Sequence, residues 1–214
     1  MAWDVVTITE AAAAALRAEA AARDAEQAVY GIDVLDELAL HPIIQRGLRE
    51  AGFGVHPEQA YPSDRTGRRR KSEGKRCDIV LTESEAPLLD PEAEQTLFGT
   101  ADAVPLDAAY WLEIKTVSQF TDEGPFARYS AELLQPVTRD IRKLAQDRWI
   151  FHAGLLLVLF TADARIATHD LAAWEQRALQ RGYPVAPPIV RDFPITDRMG
   201  NAHLTVALCS VRRF

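Results

Sequence analysis

Apolar residues along the chain follow two patterns: a helical spacing of three to four residues, and short continuous runs typical of buried strands. Glycines and prolines separate the segments. The helical spacing predicts helices from Glu10 to about Val29, from Asp33 to Gly52, from about Arg128 to Trp149, and from about Asp170 to Arg181. The apolar runs predict strands over Phe53 to Tyr61, Cys77 to Leu81, Tyr110 to Thr116 and Ala153 to Phe160, followed by a hairpin that turns near Met199-Gly200-Asn201.

The order of these elements predicts an α/β sandwich, in which helices flank a mixed central β-sheet and an extra N-terminal helix precedes it. Thr7 and Glu10 have capping-box spacing and predict the start of the first helix. Pro42 and Pro136 are expected to kink or interrupt the second and third helices. The 214 residues suit one domain. We divide it into a helical extension (1–31), a core (33–160) and an acidic insertion within that core (82–109).

Charged residues occupy two of the predicted strands. Asp78 stands alone among apolar neighbours, where an ionised carboxylate is costly unless it is paired. Side chains alternate along a strand, so Glu113 and Lys115 share one face. If a hairpin connection makes the two strands neighbours, Asp78 and Glu113 can face one cation with Lys115 beside it. Such a carboxylate pair, with room for water, suits Mg²⁺, which polarises phosphates and lowers the pKa of bound water.

This pattern resembles the PD-(D/E)XK nuclease superfamily, which has the restriction-endonuclease-like fold. The resemblance rests on Asp78, on Glu113-Ile114-Lys115 in the following strand, and on a preceding helix that carries Glu37. It implies that Asp78 and Glu113 bind a divalent metal ion, Mg²⁺ or Mn²⁺ as its substitute, with the backbone carbonyl of Ile114 as a further ligand. It also implies that Lys115 positions or activates the attacking water, and that Glu37 completes the site as an outer or water-mediated ligand.

The resemblance extends over most of the chain, from about Asp33 to Phe160. The sequence departs from the family pattern at Cys77, which takes the place of a common proline, and in the long segment between Asp78 and Glu113. If that segment does not leave the two strands adjacent, the site assignment fails.

The resemblance implies a nuclease that hydrolyses phosphodiester bonds, with DNA favoured over RNA and endonucleolytic cleavage favoured. One alternative is a catalytically silent subunit of the same fold that binds nucleic acid or acts as a scaffold. Another is a generic α/β protein in which Asp78 and Glu113 lie on unrelated surfaces. The sequence contains no helix-turn-helix or zinc-finger pattern, so specificity would come from loops, from a homodimer or from a partner subunit.

Several residues near this pattern have two interpretations. Glu37 is either an outer ligand or a solvated residue of the first helical turn. His41, one turn later, either reaches the same cleft or caps the segment that begins at Pro42. Trp111 either stacks on a base or packs in the core. The polar residues of the third predicted helix either line the cleft or form its solvated face: Arg139, Asp140, Arg142 and Lys143.

The charge is distributed unevenly along the chain. The formal net charge of -7 argues against non-specific coating of nucleic acid. However, the loop between Asp64 and Arg76 is strongly basic, while residues 82–109 contain no Lys or Arg. We expect the basic loop either to grip a phosphate backbone beside Asp78 or to remain solvated. Its basic residues are Arg65, Arg68, Arg69, Arg70, Lys71, Lys75 and Arg76.

The cysteines and the lengths of the apolar runs indicate the cellular compartment in which the protein is expected. Cys77 and Cys209 are far apart and form no disulfide framework or zinc motif, which favours a reducing compartment. The longest apolar run, Ala153 to Phe160, is far shorter than the roughly 20 residues that cross a bilayer. The N-terminus does not follow the signal-peptide pattern. We therefore expect a cytoplasmic protein with no membrane partner.

Overall fold

A computed structural model describes residues 3–65, 76–89 and 103–213. The helices are α1 (Val5–Ala25), α2 (Glu37–Glu50), α3 (Pro62–Arg65), α4 (Tyr129–Gln146) and α5 (Ala164–Gln180), with 3₁₀ turns at Ile32–Val34 and Glu83–Glu85. The strands are β1 (Gly54–Ala60), β2 (Arg76–Thr82), β3 (Tyr110–Ser118), β4 (Phe120–Thr121), β5 (Gly124–Pro125), β6 (His152–Thr161), β7 (Ile189–Pro194) and β8 (His203–Val211).

Aspartates that the sequence analysis did not single out as caps begin α1, α2 and α5, whereas α4 begins after Arg128 as predicted. Asp4 caps α1 by accepting from the backbone N–H groups of Val6 and Thr7, so the predicted Thr7 capping box is wrong. Asp36 caps α2 in the same way, and the helix therefore begins at Glu37, not at Asp33. Asp163 caps α5, which begins six residues before the predicted start. The backbone of α2 continues through Pro42, and that of α4 through Pro136, without a break.

The main sheet has six strands in the order β1-β2-β3-β6-β8-β7. β3 and β6 are parallel and the other neighbours are antiparallel. The chain is therefore an α/β protein with a mixed sheet flanked by helices. The central strand β6 is buried on both faces, as its continuous apolar run predicts. β7 and β8 form the predicted C-terminal hairpin.

Each face of the sheet carries its own hydrophobic core. On one face α1 and α2 pack against Ile114 and Leu156. On the other, α4 and α5 pack against Trp111 and Leu155. Alternating residues of β3 and β6 supply both cores, which explains the continuous apolar run of β6. α1 thus forms part of the first core together with α2.

β2 and β3 are neighbours in spite of the long segment between them. Their antiparallel register pairs Ile79 with Leu112, Val80 with Trp111 and Leu81 with Tyr110. Residues 90–102 of the expected acidic insertion lie outside the described residues. The backbone on either side of them is joined by a bridge between Leu88 and Val104. The adjacency of strands that the site assignment requires is therefore present.

Candidate metal and catalytic centre

The candidate centre lies where the ladder between β2 and β3 ends. Continuing the register past Ile79 and Leu112 would place Asp78 opposite Glu113. The carboxylate Oδ2 of Asp78 instead accepts from the backbone N–H of Ile114, at 2.7 Å. The N–H and C=O of one strand residue point to the same side, so the Ile114 carbonyl faces this gap as well. We call the gap between β2 and β3 the fork.

Glu113 is buried within the fork, with only 3% of its surface exposed. The Tyr61 hydroxyl donates a hydrogen bond to its Oε1, and the ammonium of Lys143 lies 3.7 Å from the same oxygen. Burial, followed by the carboxylates of Asp78 and Asp140, raises the pKa of Glu113 to about 8 in spite of these two contacts. In the metal-free protein Glu113 therefore holds a proton at neutral pH.

Lys115 is held by carboxylates from both faces of the sheet. Its ammonium lies 2.9 Å from Glu37 Oε1 and 3.9 Å from Asp140 Oδ2. Burial lowers the pKa of Lys115, but the hydrogen bond to Glu37 and the charges of Glu37, Asp140 and Asp78 outweigh it and raise the pKa above its usual value. Lys115 is therefore a fixed positive charge.

Glu37 does more than begin a helix. Its Oε2 also accepts from the backbone N–H of Thr116, at 3.1 Å, so its carboxylate is directed at β3 from the first turn of α2. The interpretation of Glu37 as a merely solvated first-turn residue is therefore wrong. The geometry joins Glu37 to Lys115, and its implied role as an outer or water-mediated metal ligand stays a prediction.

α4 contributes two residues whose role the sequence left open. Asp140 is buried, and its Oδ1 accepts from Lys143 at 2.7 Å. Arg139 is exposed and Arg142 packs on the Tyr183 ring, so both lie apart from these contacts. We refer to Glu37, Glu113, Lys115, Asp140 and Lys143 together as the lysine network.

A second cluster lies beside Asp78. Ligand atoms of His41, Glu58 and Asp78 all lie within 4.8 Å of one another. His41 is 5% exposed, and its Nε2 has no hydrogen-bond partner within the described part of the chain. The ring is thus directed at the cluster, and the interpretation of His41 as a cap for the segment beginning at Pro42 is wrong. We call these three residues the histidine cluster.

Glu58 is the member of this cluster that sequence reasoning missed. β1 pairs with β2 so that Pro57 faces Ile79 and Gln59 faces Cys77, which puts Glu58 opposite Asp78. Its backbone has φ of 54°, a left-handed conformation uncommon outside glycine. Only the register of the two strands could have identified it, because a single glutamate in a strand carries no such information.

The donor set of the histidine cluster suits a divalent cation. It combines an imidazole nitrogen with two carboxylates and has no Lys or Arg among its members. A partnerless buried nitrogen is costly, and coordination would satisfy it. Imidazole with carboxylates fits Mn²⁺ and similar transition metals better than Mg²⁺, which prefers oxygen ligands.

The structure describes only some of the other residues that were predicted to bind nucleic acid. Arg76 begins β2, is exposed, and donates to the backbone carbonyl of Glu58 at 2.7 Å. Arg65 is the last residue of α3. Trp111 is buried against the Tyr61 ring and donates to Leu106, so it packs in the core and is not available to stack on a base. The other basic-loop residues lie outside the described ranges: Arg68, Arg69, Arg70, Lys71 and Lys75.

Comparisons of the chain with known protein families, with curated proteins and with solved structures find no match. Within the residues that the structure describes, no helix is both long enough and apolar enough to cross a membrane.

Proposed function

We propose that this chain is a divalent-metal-dependent nuclease of the PD-(D/E)XK superfamily with the restriction-endonuclease-like fold. The observation that carries the proposal is the convergence of Asp78, Glu113, Lys115 and Glu37 from three separate elements at one fork in the sheet. Phosphodiester hydrolysis needs a metal site, a fixed cation and a place for water close together. DNA is preferred to RNA, and endonucleolytic cleavage to exonucleolytic, on the resemblance alone.

The residues at the fork fit a metal ion held by Asp78 and His41, with Glu58 completing the histidine cluster. Glu113 and the Ile114 carbonyl face the same gap. When bound, the ion would polarise a phosphate oxygen and lower the pKa of a coordinated water. Because the Nε2 of His41 has no hydrogen-bond partner among the described residues, we expect Mn²⁺ to support activity better than Mg²⁺.

The lysine network supplies fixed charge on the other side of the fork. Glu37 and Asp140 hold the Lys115 ammonium in place, so that it can orient a water or a phosphate oxygen without reorganising. Lys143 lies beside Glu113 and favours its ionised form. Because a metal ligand must be deprotonated, we expect Glu113 to release its proton when a cation binds.

One observation favours the second candidate, a catalytically silent subunit of the same fold. Glu113 is almost fully buried, and both lysines of the network are already engaged by carboxylates. A closed network of this kind stabilises a protein without requiring chemistry. The two candidates differ in whether the fork binds a metal and whether it cleaves.

The test is incubation with Mn²⁺ or Mg²⁺ and circular single-stranded, circular duplex, linear and branched DNA, together with RNA. Cleavage of circular DNA identifies an endonuclease. We expect Lys115→Met and Asp78→Asn to reduce the rate at least about 100-fold, since positioned charges typically contribute that much. Glu50→Gln, at the exposed end of α2, is the control and should match the unmodified chain.

Activity that survives both substitutions would remove the fork as the active site. Absence of cleavage on every substrate, from a folded protein that binds Mn²⁺, would reject the nuclease proposal in favour of the silent subunit. Absence of Mn²⁺ binding would reject the metal assignment as well.

A further inference from the structure

Two aromatic side chains are exposed where α4 leads into β6. Trp149 is 44% exposed and Phe151 is 52% exposed, while Ile150 between them is buried. An arginine covers part of each ring. The guanidinium carbon of Arg148 lies 5.2 Å from the Trp149 ring centroid, and that of Arg213 lies 4.7 Å from the Phe151 centroid. We call these four residues the aromatic platform.

The platform is built into the fold. Ala153 of β6 pairs with Val211 of β8, and the same register extended by two residues places Phe151 opposite Arg213. The backbone N–H of Trp149 donates to Oδ1 of the buried Asp147, at 2.9 Å. The hydrogen bond fixes the backbone beside Trp149, and β6, which begins at His152, fixes the backbone beside Phe151. The two rings are thus exposed only two residues apart, each beside an arginine.

The platform also lies close to the fork. Asp147 Oδ2 accepts from the backbone N–H of Ser63, two residues after Tyr61, which donates to Glu113. Lys143, in the last turn of α4, precedes Trp149 by six residues, three of them in the helix and three beyond it, so the two Cα atoms lie at most about 16 Å apart. A nucleic-acid strand with one phosphate at the fork would thus reach the two rings within a few nucleotides.

We propose that Arg148, Trp149, Phe151 and Arg213 bind unpaired bases of single-stranded nucleic acid, a substrate class that rests on the nuclease function proposed above. The free surfaces of the rings stack on bases and the guanidinium groups contact phosphates. In a chain with a formal charge of -7, this local pairing of arginines with aromatic rings is complementary to a polyanion. Bases inside a duplex are already stacked, so the platform selects single strands or the single-stranded branch of a larger substrate.

The test is binding of a fluorescein-labelled 12-nucleotide DNA to the full chain in EDTA, followed by anisotropy. Trp149→Ala should weaken binding about tenfold, and Phe151→Ala similarly, because loss of one stacked base typically costs that much or more. Trp149→Phe should stay within about threefold of the unmodified chain, because it keeps an aromatic face. Leu179→Ala, at an apolar position on α5 that is 60% exposed, is the matched control and should have no effect.

Two further measurements distinguish base stacking from phosphate contacts at the platform. Trp149 is the most exposed tryptophan, so single-stranded DNA should protect its fluorescence from acrylamide in the unmodified chain. Arg148→Gln with Arg213→Gln should flatten the salt dependence of binding by about two phosphate contacts. A blunt duplex of the same length should bind more weakly and should not respond to Trp149→Ala.

Equal binding by Trp149→Ala and the unmodified chain would overturn the proposal. So would an equal loss for duplex and single strand, or light scattering that shows a dimer abolished by Trp149→Ala, since the rings would then serve self-association. Binding is measured without metal and without cleavage. A platform that binds in a protein that never cleaves would therefore leave this inference standing and reject only the nuclease.

Discussion

The two clusters at the fork balance their charges in different ways. In the lysine network, Lys115 and Lys143 each lie within ion-pair distance of Asp140, and Glu113 is neutral near pH 7 because its pKa is raised. The histidine cluster brings Glu58 and Asp78 together around a histidine nitrogen that has no described hydrogen-bond partner. The lysine network therefore contains its own cations, whereas no Lys or Arg belongs to the histidine cluster. This difference leads us to propose that a divalent cation binds at the histidine cluster.

Asp78→Asn should have the largest effect, because it removes a charge from the histidine cluster. Asp78 belongs to the histidine cluster and also accepts from Ile114 in β3. Asparagine can still accept that N–H but loses the charge, so the fold should persist. We expect Mn²⁺ affinity to fall about 100-fold and the cleavage rate to fall at least about 100-fold, as for a lost metal ligand. Isothermal titration with Mn²⁺ measures the first effect and the cleavage rate the second. Glu50→Gln is the control for both, and unchanged Mn²⁺ affinity would place the metal elsewhere.

His41→Gln should separate the two metals. Glutamine replaces a nitrogen ligand with an oxygen, so we expect Mn²⁺ affinity to fall about 10- to 100-fold while Mg²⁺ affinity changes little. Titration of both ions, each against the unmodified chain, gives the ratio directly. A parallel loss for both ions would mean that His41 supports the fork through packing and is not a ligand.

Glu113→Gln should stabilise the metal-free protein as the pH rises. The native pKa of Glu113 is about 8 against a usual value near 4.5, so between these values the native state holds a proton that the unfolded state releases. The stability that depends on this proton is fully present below about pH 4.5 and is lost as the pH rises through 8. Glutamine imitates the protonated form throughout.

The advantage of Glu113→Gln should therefore be near zero at pH 4.5 and reach on the order of 4 kcal/mol at pH 8, since each pKa unit corresponds to about 1.4 kcal/mol. Urea unfolding in EDTA at several pH values measures it, and Glu50→Gln should show no such trend. Saturating Mn²⁺ should reverse the order of stability, because a bound cation favours the ionised carboxylate. A pH-independent difference would show that Glu113 is ionised in the metal-free protein.

The sequence was most informative where a single residue conflicted with its surroundings. Asp78 was identified from its apolar neighbours and Glu113 with Lys115 from alternation along a strand, and the order of the elements predicted the mixed sheet. The partners of these residues were not predictable in the same way. Glu58 meets Asp78 only through the β1–β2 register, and Tyr61 meets Glu113 across more than fifty residues of chain.

The starts of α1 and α2 were predicted wrongly because several neighbouring polar residues can each cap a helix, and tertiary contacts decide which one does. Asp4 caps α1 where Thr7 was predicted, and Asp36 caps α2 where Asp33 was predicted. Asp33 instead accepts from the side-chain amide of Asn201, at 2.9 Å, a contact between distant segments that no local pattern contains.

Tyr61→Phe should have the smallest effect on stability, and it tests how the lysine network sets the pKa of Glu113. The tyrosine hydroxyl donates to Glu113 and lowers its pKa, so its removal should raise that pKa further above 8. A hydrogen bond to an ionised carboxylate is stronger than one to a protonated carboxyl. Hence Tyr61→Phe should cost about 1 kcal/mol more stability at pH 9 than at pH 6. Urea unfolding in EDTA measures both values.

Tyr129→Phe, which removes a tyrosine–carboxylate hydrogen bond to Asp170, is the matched control and should not change the pH dependence. If the two variants behaved alike, the raised pKa of Glu113 would depend on burial and the neighbouring carboxylates, with no measurable contribution from Tyr61.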